Sequence, residues 1–435
     1  MNLRKQRAHF VLAALLALAA STPSSAATLT VGQNNWFPSA SKPSAHPAPR
    51  DLSTTSCPNQ QFTTINAALS AASAGDTVAI CPGLYAEQLV ITKPVTLVGL
   101  AATGIGRVLL QPALTVQQNL ATEAVITVMN TSGVSIQNLA IDGSNNSVTS
   151  CTPGVAGIHF YNASGSVSNN AIFGTHLANP LGCTSLPFGN GFGVLVDGNQ
   201  PGPFEVAISQ NSIHDYTANG VEVNGTGTAI TAEIQGNTIS GVGPANGIFQ
   251  FAVFVLNGAV GIITNNVITE GLCGALSSSD CISVRSEGVT LRAAGAGTVV
   301  DSNVISQAQS GIFVNGGNFL SITNNQIRNI DAMSGMDIQG SATGSFTNSL
   351  IQGNSIFNVG PIDADAVSDG EGCGITEYTG TGVAGNLISN NTVGDAYCGV
   401  AYVTADTVLS GPYFNTLYTE LNTDVWTTYP PAVEP

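Results

Sequence analysis

Residues Phe62–Leu100 read FTTINAALSAASAGDTVAICPGLYAEQLVITKPVTLVGL, a short helical pattern followed by strand patterns. Apolar residues recur there at i, i+3, i+4 and i+7, which places them on one narrow face of a helix: Ile65, Ala68, Leu69 and Ala72. We expect the helix to begin at Thr63 or Thr64 and to be stopped by Gly75. A helix with so narrow an apolar face needs a surface to cover.

The residues after this helix supply such a surface. Strand-like runs occupy 77–80, 89–91 and 95–98, and Cys81-Pro82-Gly83 is typical of a turn. We interpret these runs as the first coils of a solenoid. The first coil of a solenoid exposes its core and its strand edges, so we expect the helix to act as an N-terminal cap.

An x-Asn-x-Ile pattern repeats through the remaining chain, with Val replacing Ile in the last copy. The asparagines of the clear copies are spaced by 41, 26, 29, 37, 22, 29 and 37 residues: Asn170, Asn211, Asn237, Asn266, Asn303, Asn325, Asn354 and Asn391. A base unit in the low twenties with insertions indicates a repeat solenoid. We expect these side chains to form a stacked ladder of amides, since repetition at every coil is what stacking requires. A few exposed asparagines acting as sugar ligands is the alternative.

A second repeated element has the form Gly-apolar-x-apolar. It begins at Gly157, Gly193, Gly220, Gly311, Gly335 and Gly399. Each coil therefore contains at least two short strands with period-2 alternation, separated by Gly and Asn turns. The sequence predicts a parallel β-helix, in which each strand pairs with the same strand one coil on, about 4.8 Å away.

Composition narrows the classes of partner. Charged residues make up only 8% of the 435 residues, Gly numbers 49, and the formal net charge is −16. A strongly acidic surface disfavours nucleic acid and acidic membranes, and it weakens the case for polyanionic sugars. After the N-terminal segment no apolar run is long enough to cross a membrane, so we expect no membrane insertion. We expect a monomer.

The N-terminus has the pattern of a secretory signal. A basic start precedes an apolar run from Phe10 to Ala20 and the small residues Ser24-Ser25-Ala26. We therefore predict a signal peptide over 1–26, cleaved near Ala26, and an extracellular or periplasmic protein. Beyond it we predict a flexible Ser- and Pro-rich leader over 27–56, a capped β-helix over 57–403 and an irregular tail over 404–435.

Eight cysteines suit an oxidising compartment. In a solenoid, residues one coil apart are neighbours, so we expect cysteines that follow each other in sequence to pair: Cys57 with Cys81, Cys151 with Cys183, Cys273 with Cys281, and Cys373 with Cys398. Connectivity is not fixed by sequence alone. The rival interpretation, a metal site, lacks any CxxC or Cys/His cluster.

The chain resembles the right-handed parallel β-helix proteins of the pectin lyase-like superfamily. Within the opening stretch, FTTINAAL, GDTVAI, the pentad Gly83 to Glu87 and ITKPVTLVGL are similar to the N-terminal region of pectinesterases. The resemblance implies an all-β, single-stranded right-handed parallel β-helix with an N-terminal α-helical cap. Tyr85 and Glu87 match a G-x-Y-x-E element that is structural in that family.

The catalytic motifs of these enzymes are missing from the sequence. The QDT, DFIFG and GRPW patterns of pectinesterases do not occur, and neither do the GDD, GHG and RIK patterns of polygalacturonases or the WxDH and RxPxxR patterns of pectate lyases. The resemblance therefore implies the fold and leaves the chemistry open.

Alternation within the second element predicts one outward sheet face on which charged and aromatic side chains gather. As catalytic candidates we take Glu222, Asp337, Arg285 and His159. As substrate-binding candidates we take Tyr161, Asp197, Asn224, Phe313, Asn315 and Tyr378. Glu222, Arg285 and Asp337 are predicted about two coils, or roughly 10 Å, apart in turn. Such a carboxylate pair is marginal for inverting hydrolysis and too wide for a retaining mechanism. The alternative is an ordinary solvated face.

The stretch DADAVSDGEG predicts a cation site. Its carboxylates, on a loop that contains glycine, suit a hard cation such as Ca²⁺: Asp363, Asp365, Asp369 and Glu371. The spacing is not that of an EF-hand, and a solvated acidic loop is the alternative. Ca²⁺ is the one cofactor that the sequence suggests.

Two function classes remain open on the sequence. The first is a secreted protein that binds, and as an enzyme hydrolyses, cleaves by lyase chemistry or de-esterifies, an extracellular polysaccharide or cell-surface glycan. The second is a non-catalytic structural or adhesion protein that acts as a rigid rod. Fold analogy favours the first and the missing motifs favour the second.

Overall fold

The computed structural model describes most of the chain from residue 26 to residue 427. The described residues are 26–32, 59–100, 108–112, 122–146, 148, 154–176, 191–241, 249–271, 286–331, 333–340, 345–360, 372–378, 383–396, 398–402, 416–418 and 423–427.

Three long parallel sheets form the molecule, and each coil of the chain contributes one strand to each sheet. Strands are numbered in chain order. Sheet A contains β1 (Thr28–Val31), β2 (Thr77–Ile80), β5 (Thr96–Gly99), β8 (Val134–Gln137), β11 (Gly165–Ser168), β14 (Phe204–Ser209), β17 (Ile230–Gln235), β20 (Val260–Thr264), β23 (Val299–Asp301), β26 (Ser321–Thr323), β30 (Leu350–Gln352) and β34 (Leu387–Ser389).

Sheets B and C follow sheet A in every coil. Sheet B contains β3 (Gly83–Ala86), β6 (Val108–Gln111), β9 (Leu139–Asp142), β12 (Ala171–Phe173), β15 (Ser212–His214), β18 (Thr238–Ser240), β21 (Val267–Thr269), β24 (Val304–Ala308), β27 (Gln326–Ile330), β31 (Ser355–Val359), β35 (Thr392–Ala396) and β37 (Thr416–Tyr418). Sheet C contains β4 (Leu89–Ile91), β7 (Thr122–Met129), β10 (Gly154–Tyr161), β13 (Gly191–Asp197), β16 (Asn219–Asn224), β19 (Gln250–Leu256), β22 (Ser286–Ala294), β25 (Ser310–Asn318), β28 (Met336–Gln339), β32 (Cys373–Tyr378), β36 (Cys398–Tyr402) and β38 (Thr423–Thr427). The short strand β29 (Phe346–Thr347) pairs with β25, and β33 (Val383–Ala384) pairs with β29. This architecture confirms the predicted all-β parallel solenoid.

The predicted asparagine ladder is present at the turn from sheet A to sheet B. From Asn170 to Asn391, each Nδ2 donates to the Oδ1 of the next asparagine in the ladder at 2.9–3.1 Å. The same Oδ1 also accepts the backbone N–H of the preceding asparagine. The amides are buried, so this chain of bonds satisfies polar groups that would otherwise destabilise the core.

The glycine of the second repeat lies where sheet C begins, facing an isoleucine of sheet B. A Cβ added to Gly311 would lie 2.5 Å from Cγ2 of Ile327, and one added to Gly335 would lie 2.4 Å from Cγ2 of Ile356. The isoleucines form a buried inward column along sheet B. At these two positions glycine lets the two sheets approach closely, which explains why glycine and isoleucine repeat together in most coils.

The predicted helix is present as α1 (Ile65–Ala71), with Thr64 as its N-cap. Ile65, Ala68 and Leu69 are buried, as the spacing predicts. The helix ends before Gly75, because Ala72 is already extended at φ −64 and ψ 142. Its role as a cap stays a prediction.

Glu87 and Lys93 hold the two ends of α1. The Glu87 carboxylate accepts the backbone N–H groups of Ile65 and Asn66, both at 2.8 Å. Lys93 Nζ donates to the carbonyl of Ala72 at 2.6 Å, at the end where the helix dipole favours a cation. Tyr85 is buried and donates its hydroxyl to the carbonyl of Cys81 at 2.9 Å. The G-x-Y-x-E element therefore acts structurally.

Two of the predicted domain boundaries need correction. Thr28–Val31, assigned to a flexible leader, forms β1 and pairs in parallel with β2. The alternating β-branched sequence TLTV suits a strand, and it covers the edge that β2 would otherwise expose. In the predicted irregular tail, β37 and β38 pair with β35 and β36 and so continue sheets B and C.

Other predictions concern cysteines and the N-terminus. Cys81 and Cys373 each take part in a disulfide bond. Cys373 and Cys398 are register partners in neighbouring coils. Their predicted pairings stay predictions, and Cys57, Cys151, Cys183, Cys273 and Cys281 lie outside the described residues. So does the predicted signal peptide, apart from Ala26. Within the part of the chain that the structure describes, no helix has the length and apolar character needed to cross a bilayer.

Candidate functional site

The outward side of sheet C carries two parallel rows of side chains. The first, which we call the covered row, alternates with core residues: His159, for example, stands between the buried core residues Ile158 and Phe160. The covered row comprises Thr127, His159, Leu195, Glu222, Phe254, Thr290, Phe313, Asp337 and Thr376. All of its members are buried, so the prediction of an openly solvated face is wrong for this row. Alternation fixes which way a side chain points and says nothing of what covers it.

The second row, which we call the open row, lies two residues further along each strand. Its members are half-buried or exposed: Met129, Tyr161, Asp197, Asn224, Leu256, Arg292, Asn315 and Gln339. Aromatic, carboxylate, amide and guanidinium groups therefore alternate along an accessible line at one coil spacing, about 4.8 Å.

A hydrogen bond joins the two rows where β10 meets β13. His159 Nε2 lies 2.6 Å from Asp197 Oδ1. The histidine is 2% exposed and the aspartate 30% exposed. An ionised carboxylate only accepts hydrogen bonds, so Nε2 carries the proton in this contact. The ring of Tyr161 meets the imidazole edge-on, with centroids 5.8 Å apart.

The other ring nitrogen of this histidine is unusual. His159 Nδ1 is buried and has no hydrogen-bond partner. When Nε2 holds the proton, Nδ1 of a neutral imidazole keeps its lone pair. Asp197 thus fixes both the orientation of the ring and its tautomer.

Glu222 is the second carboxyl group of this site, one coil beyond Asp197. It is 9% exposed, and Asn219 Nδ2 donates to its Oε2 at 2.6 Å. Burial, the largest effect, raises the pKa of Glu222 to about 7, and the negative charge of Asp197 adds to that rise. Hydrogen bonds from Asn219 and Asn224 act in the opposite direction, since they stabilise the ionised form.

Asp197 and Glu222 stand on neighbouring strands, offset by two residues, because Leu195 is the register partner of Glu222. One coil spacing and two residues along the strand separate their Cα atoms by about 8 Å. Inverting hydrolysis uses two carboxyl groups that are far enough apart to leave room for a water molecule beside the sugar ring. A protonated acid beside an ionised carboxylate is the division of roles that such chemistry uses.

Glu222 and Asp337, both catalytic candidates from the sequence, lie far apart along sheet C. The register runs from Glu222 through Phe254, Thr290 and Phe313 to Asp337, four coils and about 19 Å away. These two carboxyl groups are therefore too far apart to act together on one glycosidic bond.

The repeated glycine motif did not locate two strands of sheet C, β19 and β22. In β19, Ala252 stands where the second repeated element has its glycine, so the motif does not reveal that coil. The sequence CISVR suggests a strand for the next coil, but the strand β22 begins at Ser286. Gly288 of β22 is the glycine of the second repeated element in that coil. That strand brings Arg292 into the open row.

The remaining candidates fall into three groups. Asn224 and Asn315 lie in the open row, whereas Phe313 is buried in the covered row three coils from Glu222. Outside the described residues lie Arg285, the side chain of Tyr378, and the predicted Ca²⁺ ligands Asp363, Asp365, Asp369 and Glu371. No group of three or more His, Cys, Asp or Glu side chains that could hold a metal ion occurs among the described residues.

Sequence reasoning missed Asn219 and Arg292. Asn219 precedes Gly220, the glycine of the second repeated element. The alternation pattern predicts only the residues two and four after each such glycine. The signal was present in the motif NGVEVN, where a polar residue three before Glu222 reaches the same face across the glycine bend.

Comparison with known proteins bears on the fold. The sequence profile of the family described as the right-handed β-helix region matches residues 192–393. The described strands within that range run in parallel through three sheets. The chain is a parallel β-helix protein. Among curated proteins, no sequence is similar enough to count as a relative.

Several solved structures of β-helix proteins are similar to this chain. The Dettilon tailspike protein shares 16% sequence identity, with 82% of this chain covered and a TM-score of 0.43. The tailspike of Acinetobacter baumannii bacteriophage Fri1, a capsular polysaccharide depolymerase, shares 11% with 82% covered and a TM-score of 0.42. This β-helix protein spans 65% and 58% of those two chains. PfbA, a surface adhesin of Streptococcus pneumoniae, shares 10%, with 83% of this chain and 87% of that chain covered and a TM-score of 0.37.

Proposed function

We propose that this protein is a secreted β-helix hydrolase that binds an extracellular polysaccharide along the open row of sheet C and cleaves it at Glu222 and Asp197. The observation that carries the proposal is the pairing of a buried carboxyl, whose pKa is about 7, with a half-buried carboxylate one coil away. A buried carboxyl group with a raised pKa beside a specific charged partner is a candidate functional group.

In the proposed reaction Glu222 is the general acid. Its proton passes to the glycosidic oxygen as the bond to the anomeric carbon breaks, so the leaving sugar departs as an alcohol. Asp197 is the general base, which takes a proton from the attacking water as the new bond forms at the anomeric carbon. One water is consumed, and the next cycle begins when the two carboxyl groups exchange their protons with solvent.

His159 is a positioning residue in this scheme. Its bond to Asp197 fixes the orientation of the carboxylate on the outward side of sheet C. Tyr161 and Asn224 flank the pair in the open row, where an aromatic ring and an amide are suited to contact a sugar ring and its hydroxyl groups.

Secretion, the monomeric state and the disulfides belong to the same proposal. The signal pattern over 1–26 would export the chain, and an oxidising compartment would allow Cys57 to pair with Cys81 and Cys373 with Cys398. Peptide mapping without reduction should recover both cross-linked pairs, and N-terminal sequencing of secreted protein should begin near Ala27.

The test of the proposed activity is a screen of purified protein against plant, algal and bacterial polysaccharides, with release of reducing ends as the signal. We expect at least one glycan to be cut by the wild type and by Glu233→Gln, a control at an exposed carboxylate on sheet A. Glu222→Gln should lose the activity while still binding that glycan. Binding without turnover by the wild type would replace the hydrolase with a lectin-like role, and neither binding nor turnover would favour the structural rod.

A further inference from the structure

We propose that the glycan bound at sheet C is electrically neutral where it crosses Asp197 and Glu222, and that sugars bearing a carboxylate at that place are rejected. The inference rests on the proposed function, because it names the substrate class of the same site. It goes further than the sequence does, since net charge alone only weakens the case for polyanions.

The negative charge of Asp197 opposes a second carboxylate at this site. Asp197 and Glu222 lie on neighbouring strands of one face, and the charge of Asp197 already opposes ionisation of Glu222. A carboxylate on the sugar between them would meet the same repulsion. Asp197 is half-buried, so salt screens this repulsion in part.

The positions of the described lysine and arginine side chains also bear on the charge of the substrate. Lys93 is engaged at the end of α1, donating to the carbonyl of Ala72, and Arg328 belongs to β27 of sheet B. Arg292 is in the open row, two coils from Asn224 and therefore about 10 Å along the axis. Among the described residues, no cation stands closer to the carboxyl pair within the open row. A counter-charge for a carboxylated sugar at the point of cleavage is thus missing from that part of the row.

Four members of the open row carry uncharged groups that can contact a sugar. Tyr161, Asn224, Asn315 and Gln339 offer a ring face, amide N–H donors and amide carbonyl acceptors. Amides both donate to and accept from hydroxyl groups, which every neutral sugar presents. The row is therefore suited to a polyhydroxylated chain without formal charge.

The test compares matched substrates. Each neutral glycan of the panel is assayed beside the same glycan after its primary hydroxyl groups have been oxidised to carboxylates, at low salt and again with about 0.5 M NaCl. Polygalacturonate and alginate serve as natural carboxylated polymers. Turnover is followed with the wild type, and affinity is measured with Glu222→Gln by affinity electrophoresis.

We expect the neutral member of the pair to be cut, and bound by Glu222→Gln, at least tenfold better at low salt. High salt should narrow the gap, because it screens the repulsion. A carboxylated member that is cut or bound as well as its neutral parent overturns the inference and leaves the hydrolase standing. A panel in which nothing is cut counts against the hydrolase, and the binding measurements then still decide the charge preference.

Discussion

Glu222 shows how neighbouring side chains set the chemistry of one residue. Its pKa is raised to about 7, chiefly by burial and also by the charge of Asp197, while the Asn219 amide opposes this rise by donating to Oε2. A general acid must carry its proton, so the proposed activity should fall as the pH rises through about 7.

Replacing Asn219 by Ala tests this account. The substitution removes a hydrogen bond that stabilises the ionised carboxylate, so the pKa of Glu222 should rise. We expect the alkaline limb of the pH profile of kcat to move to higher pH, measured on the glycan that the screen identifies. An alkaline limb that stays in place, or moves to lower pH, would show that Glu222 is not the group that titrates.

Glu87 shows the limits of sequence reasoning at this scale. Its structural role was expected from the family resemblance, but the contacts themselves span 22 residues of the chain to Ile65 and 21 to Asn66. No local pattern reveals which helix a carboxylate will hold. His159 and Asp197 were similarly both chosen from the sequence, yet their pairing depends on a coil of 38 residues.

At the scale of elements, the asparagine ladder is the feature that the sequence predicts best. One residue type recurs at one turn of every coil, so periodicity alone identifies it, and the insertions that vary the spacing fall elsewhere. The residue before each ladder asparagine has a left-handed backbone, with φ near 56° at Asn169 and 55° at Asn324. A tight turn therefore delivers each amide to the same place in the coil.

Asn325→Ala should destabilise the coils around it. The wild-type side chain accepts from the Asn303 amide at 3.0 Å and donates to the Asn354 amide and to the carbonyl of Val300, both at 2.9 Å. The substitution leaves buried partners unsatisfied, which costs roughly 1–3 kcal/mol for each group. We expect a lower urea midpoint by fluorescence.

Gln326→Ala is the matched control for that substitution, since the neighbouring side chain is exposed on β27. It should leave the midpoint within error of the wild type. Equal effects at both positions would mean that the ladder contributes nothing beyond ordinary strand propensity.

Gly311→Ala tests the close approach of sheets B and C. The new Cβ would lie 2.5 Å from both the carbonyl of Gly335 and Cγ2 of Ile327, so the sheets must separate. We expect a loss of about 1–3 kcal/mol, typical of overpacking, measured as a fall in melting temperature.

Gly360→Ala is the control for this substitution, because nothing lies within 4 Å of the added Cβ. A Gly311 variant as stable as the Gly360 variant would contradict the account of why glycine repeats in sheet C.

Over the whole molecule, the fold followed from the sequence but the site followed only in part. Two repeated motifs predict strands, turns and coil stacking, whereas the distance between two site residues depends on counting every coil between them. Ala252 in place of a glycine hid one coil, and the next coil was assigned to residues before β22. The true neighbours, Asp197 and Glu222, lie on successive strands that the motif did identify.

The solenoid also buries a carboxyl group inside its core, which predicts how stability depends on pH. Glu377 follows a column of apolar residues that ends in Ile338, and its Oε1 accepts from Asn386 Nδ2 at 3.0 Å. Burial raises the pKa of Glu377 from 4.5 to about 7, while the Asn386 hydrogen bond acts against that rise. The folded state therefore holds this proton more tightly than the unfolded state does.

The consequence is a protein that is more stable in acid. Between pH 4.5 and about 7 the folded state binds more protons, so the free energy of unfolding falls as pH rises through that window. A shift of this size corresponds to about 3 kcal/mol. We expect the urea midpoint to be higher at pH 5 than at pH 8. Glu377→Gln should reduce that difference and Glu233→Gln should not; a midpoint that rises with pH would contradict the prediction.

The central claim is that Glu222 donates a proton to a bound glycan at sheet C. The most direct measurement is kcat for reducing-end release at pH 6 by the wild type, Glu222→Gln and the exposed control Glu233→Gln, with binding of the same glycan measured for all three. The account predicts that Glu222→Gln loses about 10²–10⁴ in kcat, as expected for removal of a general acid, while binding is retained and Glu233→Gln matches the wild type. A Glu222→Gln variant that cuts the glycan at the wild-type rate would contradict it.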